Sequence, residues 1–285
     1  MKKYGIVAVL GRPNTGKSTL LNAIMDQKVA ITSPLPQTTR KNVRVRYSDE
    51  RGVIDFVDTP GIMEKVEDLV GKKINKEAPK SLSHADVVIA LVDISRPKTE
   101  EDTKMIGIVR KSKASKVLVY NKIDEAIGSK DHLAEYNYLE EEFDKVIDVS
   151  AIKSKNIKGL VNILMEMLPE GEVDDNDSNG VKIPINSTEY VGEIIREKAF
   201  LFLRREVPYS VTVEVESITD KKDLIVIKAA ILTNAERYKK MIIGRNGQKI
   251  KQIGYNARKE LELMSSRKIY LELTVKIDKH WEERL

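Results

Sequence analysis

Gly11-Arg12-Pro13-Asn14-Thr15-Gly16-Lys17-Ser18 reads G-x-x-x-x-G-K-S. Ahead of it runs Ile6-Val7-Ala8-Val9-Leu10, an apolar stretch rich in β-branched residues, and behind it Thr19-Leu20-Leu21-Asn22-Ala23-Ile24-Met25, apolar at helical spacing. A glycine-rich segment between a buried strand and a helix start is the context of a P-loop. The glycines let several backbone N–H groups turn towards one anion, and the helix N-terminus adds its dipole. In that reading Asn14, Thr15, Gly16, Lys17, Ser18 and Thr19 line a phosphate site. Lys17 reaches the β- and γ-phosphates, and the Ser18 hydroxyl holds Mg²⁺.

The surrounding chain sets the scale. With 285 residues it is long enough for two domains. No apolar run approaches the roughly 20 residues of a membrane span, and the short apolar start leads into the P-loop, not into a cleavage site. The absence of cysteine excludes disulfides and thiolate metal sites, and a cytoplasmic protein is the simplest expectation. Charge is uneven. Residues 181–285 hold 21 Lys and Arg against 15 Asp and Glu, while residues 1–180 hold 28 against 29. The excess positive charge of the last third points to a polyanionic partner there.

Residues 1–171 alternate strand-like and helical patterns. Strands are predicted at 5–10, 41–47, 53–58, 87–92, 116–121 and 145–149, and helices near 18–26, 68–82, 99–112, 132–142 and 156–168. Ile89-Ala90-Leu91-Val92 and Val117-Leu118-Val119 are continuous apolar runs, as in parallel strands buried on both faces. The alternation predicts a three-layer α/β domain with a mostly parallel sheet, whose ligands bind at the carboxyl ends of the strands.

The remaining motifs fall at those ends. Asp58-Thr59-Pro60-Gly61 follows the 53–58 strand. D-x-x-G occurs about once by chance in a chain of this size, so only its position is informative. There Asp58 is a second anchor for the Mg²⁺ shell, and Gly61 offers its N–H to a γ-phosphate. Asn121-Lys122-Ile123-Asp124 follows the 116–121 strand. Guanine presents N1–H and a 2-amino group side by side, and the Asp124 carboxylate accepts both; adenine offers an acceptor at N1 and is repelled. Asn121 ties this loop to the P-loop, and the Lys122 stem covers the base. Ser150-Ala151-Ile152 follows the 145–149 strand, its backbone set to meet the guanine 6-oxo group and Ser150 bracing the loop. Thr32 to Arg40 is a proline-broken polar loop. A threonine in it binds Mg²⁺ when the γ-phosphate is present and releases it after hydrolysis, with Thr39 preferred over Thr38. Residues 62–82 form a second candidate mobile piece.

Residues 172–184 are acidic and turn-rich and read as a linker, followed by a second unit at 185–285. A helix at 189–205 carries Val191, Ile194, Ile195, Ala199 and Phe202 towards one side. Strands follow at 210–217 and 223–233, joined by a turn at Asp220-Lys221-Lys222. Next come a helix at 235–242, the loop Gly244-Arg245-Asn246-Gly247, a helix at 248–265 and a strand at 268–277. The G-x-x-G loop joins two helices, follows Ile242-Ile243 and is flanked by Lys239, Lys240, Arg245, Lys249 and Lys251. Paired glycines permit close approach of a nucleic-acid backbone, and the following helix offers its N-terminus to phosphate, as in KH-type clamping of single-stranded RNA. Ile243 and Ile250 line an apolar floor for bases. Trp281 is read as a domain anchor; His84, His132 and His280 lack metal-ligand or triad spacing.

With G-x-x-x-x-G-K-S, D-T-P-G, N-K-I-D, S-A and a C-terminal G-R-N-G in one chain, the sequence resembles the Era family of bacterial GTPases over essentially its whole length. Gly11-Arg12-Pro13-Asn14 and Pro36-Gln37-Thr38-Thr39-Arg40 carry the resemblance closely. It implies a P-loop GTPase domain followed by a KH domain, hydrolysis of GTP to GDP, and binding of the 3′ end of small-subunit ribosomal RNA during assembly of the small ribosomal subunit. A monomer is expected. The location it implies is cytoplasmic, with part of the protein peripheral to the inner membrane face; the sequence shows no amphipathic membrane helix. Ile62 stands where Ras-like proteins carry a water-orienting glutamine, in agreement with the Era pattern, so intrinsic hydrolysis is expected to be slow. Asn14 resembles the asparagine that supports a potassium ion in related GTPases, where K⁺ supplies positive charge as an arginine finger does.

Two other readings fit parts of the sequence. A metabolic nucleoside-triphosphatase or kinase with a basic accessory domain predicts turnover stimulated by a small molecule and indifferent to RNA. A binding module with a vestigial nucleotide site predicts no hydrolysis. The basic G-x-x-G unit argues against the first; intact Lys17, Asp58 and Asp124 argue against the second.

Overall fold

The structure, a computed structural model, describes residues 2–30, 43–58, 82–125, 130–171 and 187–284. The chain divides into two units, Met1–Lys182 and Ile183–Leu285.

In the first unit the strands are β1 (Lys2–Leu10), β2 (Val43–Asp49), β3 (Gly52–Asp58), β4 (Val87–Asp93), β5 (Ser115–Asn121), β6 (Lys145–Asp148) and β7 (Glu170–Gly171); the helices are α1 (Lys17–Met25), α2 (Glu100–Arg110), α3 (Lys130–Ala134) and α4 (Ile157–Met167). They build one seven-stranded sheet in the order β2-β3-β1-β4-β5-β6, with β7 pairing β1 at Lys2 and Lys3. β2 is antiparallel to β3, and β3, β1, β4, β5 and β6 run parallel. Period-two alternation divides β1 between two cores. Val7 and Val9 face α1 and α4 with Leu20, Leu21, Leu160 and Leu164. Ala8 and Leu10 face the α2 side with Met105, Ile106 and Val109. β4 is buried at every position, as its unbroken apolar run requires.

The helix predicted over 132–142 is instead two short pieces, α3 and a 3₁₀ segment Asn137–Glu142. The break falls at Glu135-Tyr136. The Glu135 carboxylate accepts from Lys98 N at 2.8 Å, and Tyr136 and Leu139 are both buried. The helix expected at 68–82 lies outside the described residues apart from Leu82.

The second unit contains α5 (Thr188–Phe202), β8 (Val211–Lys221), β9 (Leu224–Thr233), α6 (Glu236–Ile243), α7 (Gln248–Ser265) and β10 (Lys268–Ile277). Its three-stranded sheet has the order β10-β9-β8. β8 and β9 form an antiparallel hairpin with a bulge between Val215 and Ser217, and β9 and β10 are parallel. Parallel neighbours need a crossover, which α6 and α7 supply. Ser187 caps α5, its hydroxyl accepting from Tyr190 N. The β8–β9 turn lies at Lys222-Asp223, one step beyond the expected place, because Lys221 still pairs with Leu224 and Arg267 holds Asp220 by a double hydrogen bond. α5 stops at Phe202, short of the expected 205, where Arg205 takes a left-handed backbone with φ 58°. Trp281 is 1 % exposed, consistent with an anchor. Among the described residues no helix is long and apolar enough to cross a membrane.

Candidate functional site

Gly16 precedes α1 with φ 97°, and a Cβ built there would collide with Asn121 Nδ2. A non-glycine residue is therefore excluded twice, by backbone and by contact. The loop closes on itself: Thr15 Oγ1 donates to the Arg12 carbonyl at 3.0 Å, and Lys17 Nζ donates to the carbonyls of Gly11 at 3.0 Å and Arg12 at 2.9 Å. Lys17 is buried, Ser18 and Thr19 are partly exposed, and Asn14 is exposed at the loop tip with φ 63°.

A second loop is bound to the first. Asn121 Nδ2 donates to the Thr15 carbonyl at 2.7 Å, and Ala151 N donates to Asn121 Oδ1 at 3.0 Å. Ser150 Oγ donates to Asp124 Oδ1 at 2.5 Å and accepts from Lys153 N at 3.2 Å. The three sequence-distant pieces around residues 15, 121–124 and 150–151 thus form one connected polar frame. Ile152 is 69 % exposed and makes no part of that frame. Lys122 takes a left-handed backbone, φ 66°, and its ammonium pairs with Asp93 at 2.8 Å.

Of the remaining residues read from the sequence, Asp58 ends β3 but its side chain lies outside the description, and Thr38, Thr39, Gly61 and Ile62 lie outside the described residues. His84 is exposed, and His132 and His280 pair with Glu135 and Glu283. No cluster of His, Cys, Asp and Glu able to hold a metal ion occurs among the described residues.

In the second unit α6 ends at Gly244, φ 72°, and Arg245–Gly247 make a short turn into α7 with Asn246 at φ 52° and Gly247 at φ 71°. Arg245, Asn246 and Lys251 are exposed, and Lys249 is partly so. Ile243 and Ile250 rest on the core yet stay half-exposed, whereas Ile242 is buried. Two half-covered isoleucines thus lie beside a basic, glycine-bounded turn.

Residues 6–122 match a family model described as 50S ribosome-binding GTPase, and residues 206–282 match the KH domain. GTPase Era of Clostridioides difficile is 36 % identical, covering 99 % of this chain and 95 % of its own; GTPase Era of Geotalea daltonii is 39 % identical, covering 98 % and 94 %. The chain belongs to the Era family of GTPases. A crystal structure of Era in complex with MgGDPNP and nucleotides 1506–1542 of 16S ribosomal RNA superposes with TM-score 0.90 at 35 % identity, covering 100 % of this chain and 96 % of that one. An Aquifex aeolicus Era variant bound to GDP·AlF₄⁻ gives TM-score 0.89 at 35 % identity, over 99 % and 96 %.

Sequence reading of this Era-family chain missed two buried groups beside the site. Asp93, at the carboxyl end of β4, is fully buried and accepts from Lys122, Ser95 and Arg96. Burial pushes its carboxyl up, but the hydrogen bonds from Lys122, Ser95 and Arg96 outweigh that and hold it below the usual carboxylate range. Arg96 Nη2 also reaches the Asn14 carbonyl at 3.4 Å. The signal was present: a carboxylate closing the run Val87-Val88-Ile89-Ala90-Leu91-Val92 at the ligand-binding end of a parallel strand. The second group is Arg12 with Asp102: Thr99-Glu100-Glu101-Asp102 has the pattern of a capping box, but nothing in the sequence marks its pairing with Arg12.

Proposed function

We propose that this chain hydrolyses GTP and binds RNA through its KH unit, acting on the 3′ end of small-subunit ribosomal RNA during assembly of the small ribosomal subunit. The observation that carries the nucleotide half is the Asn121 bridge. It binds the phosphate loop and the 150–152 loop to the end of β5, whose following loop carries Asp124, so a phosphate cradle and a guanine-reading carboxylate are held in one frame.

The residues fit a Mg²⁺–nucleotide complex: Gly16, at φ 97°, turns the loop into α1, whose positive N-terminal end begins at Lys17 beside the exposed Asn14 and the partly exposed Ser18. Ser18, Thr39 and Asp58 are the proposed ligands of Mg²⁺, which when bound neutralises charge building on the β- and γ-phosphate oxygens. Lys17, its ammonium steered by the Gly11 and Arg12 carbonyls, reaches the phosphate oxygens and stabilises the same charge. Gly61 N–H contacts the γ-phosphate. Asp124 selects guanine, with Asn121 and Ser150 holding its loop, Lys122 covering the base, and the Ala151 and Ile152 backbone at the 6-oxo group. Water attacks the γ-phosphate through positioning and electrostatics; with Ile62 in place of a glutamine, turnover is slow. Asn14 supports K⁺ as an activating cation.

The RNA half rests on Gly244–Gly247 with Ile243, Arg245, Asn246, Lys249, Ile250 and Lys251, and on the basic balance of residues 181–285. The solved relative with a 16S fragment supports the small-subunit assignment; the family model that names the 50S particle covers only residues 6–122 and omits the KH unit. A monomeric cytoplasmic protein, divided at 1–171, 172–184 and 185–285, is part of the same proposal. The test is a pair of titrations. GTP and GDP should bind with ATP unable to compete, and an oligonucleotide with the 3′-terminal sequence of the small-subunit RNA should bind in a salt-dependent manner. Equal competition by ATP, or turnover raised by a small metabolite and not by RNA, favours the metabolic-enzyme reading.

A further inference from the structure

Arg12 occupies a position of the phosphate loop that the motif leaves open, yet it is 4 % exposed and its partner Asp102 is 0 % exposed. Its Nη1 lies 3.0 Å from Thr99 Oγ1, 3.2 Å from the Pro97 carbonyl and 3.1 Å from Asp102 Oδ2. Those acceptors are themselves fixed. Thr99 is the N-cap of α2, and Asp102 closes a capping box, accepting from Thr99 N at 2.9 Å and from Thr99 Oγ1 at 3.0 Å. The guanidinium is therefore fastened to the first turn of a helix that packs on the α2 side of the sheet.

The backbone of the same residue faces the site. The Arg12 carbonyl accepts from Lys17 Nζ and from Thr15 Oγ1. One residue thus joins a buried ion pair, on its side chain, to the ammonium assigned to the phosphates, on its main chain.

We propose that Arg12 is a positioning residue for Lys17: its pairing with Asp102 and Thr99 fixes the carbonyl that aims the Lys17 ammonium, so nucleotide affinity depends on α2 without α2 touching nucleotide. This rests on the proposed role of Lys17. A misplacement on the ångström scale is enough to matter at such a site.

The experiment titrates a fluorescent GDP into the full chain and into Arg12→Lys and Asp102→Asn, each in the parent and in the Lys17→Ala background. Titrations run to millimolar nucleotide so that weak binding is measured, and each variant has a thermal melt. Arg12→Lys keeps the charge but is shorter and lacks the planar guanidinium; Asp102→Asn keeps the shape but not the charge. Both should weaken GDP about tenfold in the parent and less than twofold with Lys17→Ala. Equal losses in both backgrounds would show that Arg12 supports the loop as a whole and overturn the proposal, as would unchanged affinity. If either variant melts below the assay temperature, Thr99→Val, which removes one hydrogen-bonding group from the cluster, takes its place with the same outcomes. Failure of the parent chain to bind GDP would strike at the nucleotide reading instead, and is distinguishable from both.

Discussion

Asn121 and Thr15 lie 106 residues apart, and the Asn121 amide donates to the Thr15 carbonyl at 2.7 Å. The same side chain accepts from Ala151 N, so it joins three loops at the carboxyl ends of the strands. Truncating it orphans a buried acceptor and a buried donor, each costing about 1–3 kcal/mol.

Asn121→Ala is therefore expected to speed GDP dissociation by at least about a hundredfold, measured by displacement of a fluorescent analogue. Gly16→Ala should act in the same direction, because its methyl group pushes against Asn121. An unchanged dissociation rate in both variants would show that the bridge does not hold the nucleotide site.

Asp124→Asn should weaken GTP and GDP by about a hundredfold or more, since the amide faces guanine N1–H with a donor. Xanthosine triphosphate, which carries a 2-oxo acceptor, should lose much less or gain. Competition binding with the three nucleotides distinguishes a base-reading carboxylate from one that merely caps Ser150.

Asp93 predicts a pH dependence. Its folded-state pKa lies below the unfolded value of about 3.9, so its contribution is fully present above that value and is lost as pH falls through the folded pKa. At neutral pH Asp93→Asn should be less stable than the parent. The gap in urea midpoint should narrow as pH drops from about 5 towards 2, below the unfolded carboxylate value. A gap that stays constant over that range contradicts an ionised, hydrogen-bonded Asp93.

Gly247→Asp tests the RNA loop. Gly247 has φ 71° with no atom within 4 Å of an added Cβ, so the substitution strains the backbone by about 1–2 kcal/mol and sets a negative charge at an open turn. RNA affinity should fall at least tenfold with GDP affinity unchanged, as read by filter binding and nucleotide titration on the same preparation. Retained RNA affinity would place the RNA surface elsewhere in the unit.

Asn14, exposed at the loop tip, predicts faster GTP hydrolysis in potassium than in sodium buffer, with the difference removed by Asn14→Ala. Equal rates in the two salts, with and without RNA, would eliminate the cation.

Much of this was legible because local chemistry is written locally. The strand–loop–helix order around Gly11–Ser18, the burial of β4 and the helix–loop–helix at Gly244–Gly247 each follow from a few adjacent residues. The break at Glu135-Tyr136 was not legible. The periodicity of 132–142 suits one helix, and the Lys98 amide that Glu135 accepts from at the break lies 37 residues earlier.

The sequence alone determined the glycine-rich loop, the N-K-x-D stretch at a strand end and the two-unit order, because glycine conformations, turn chemistry and apolar periodicity act over a handful of residues. Only the tertiary structure decided what holds that loop. Asp93 and Lys122, and Asn121 and Thr15, are polar pairs from different strand ends, and Arg12 pairs with Asp102 in the first turn of α2. Hydrogen-bond partners brought together by sheet order leave no mark in the spacing of either segment. An arginine at an open motif position becomes informative only when its carboxylate is found beneath it.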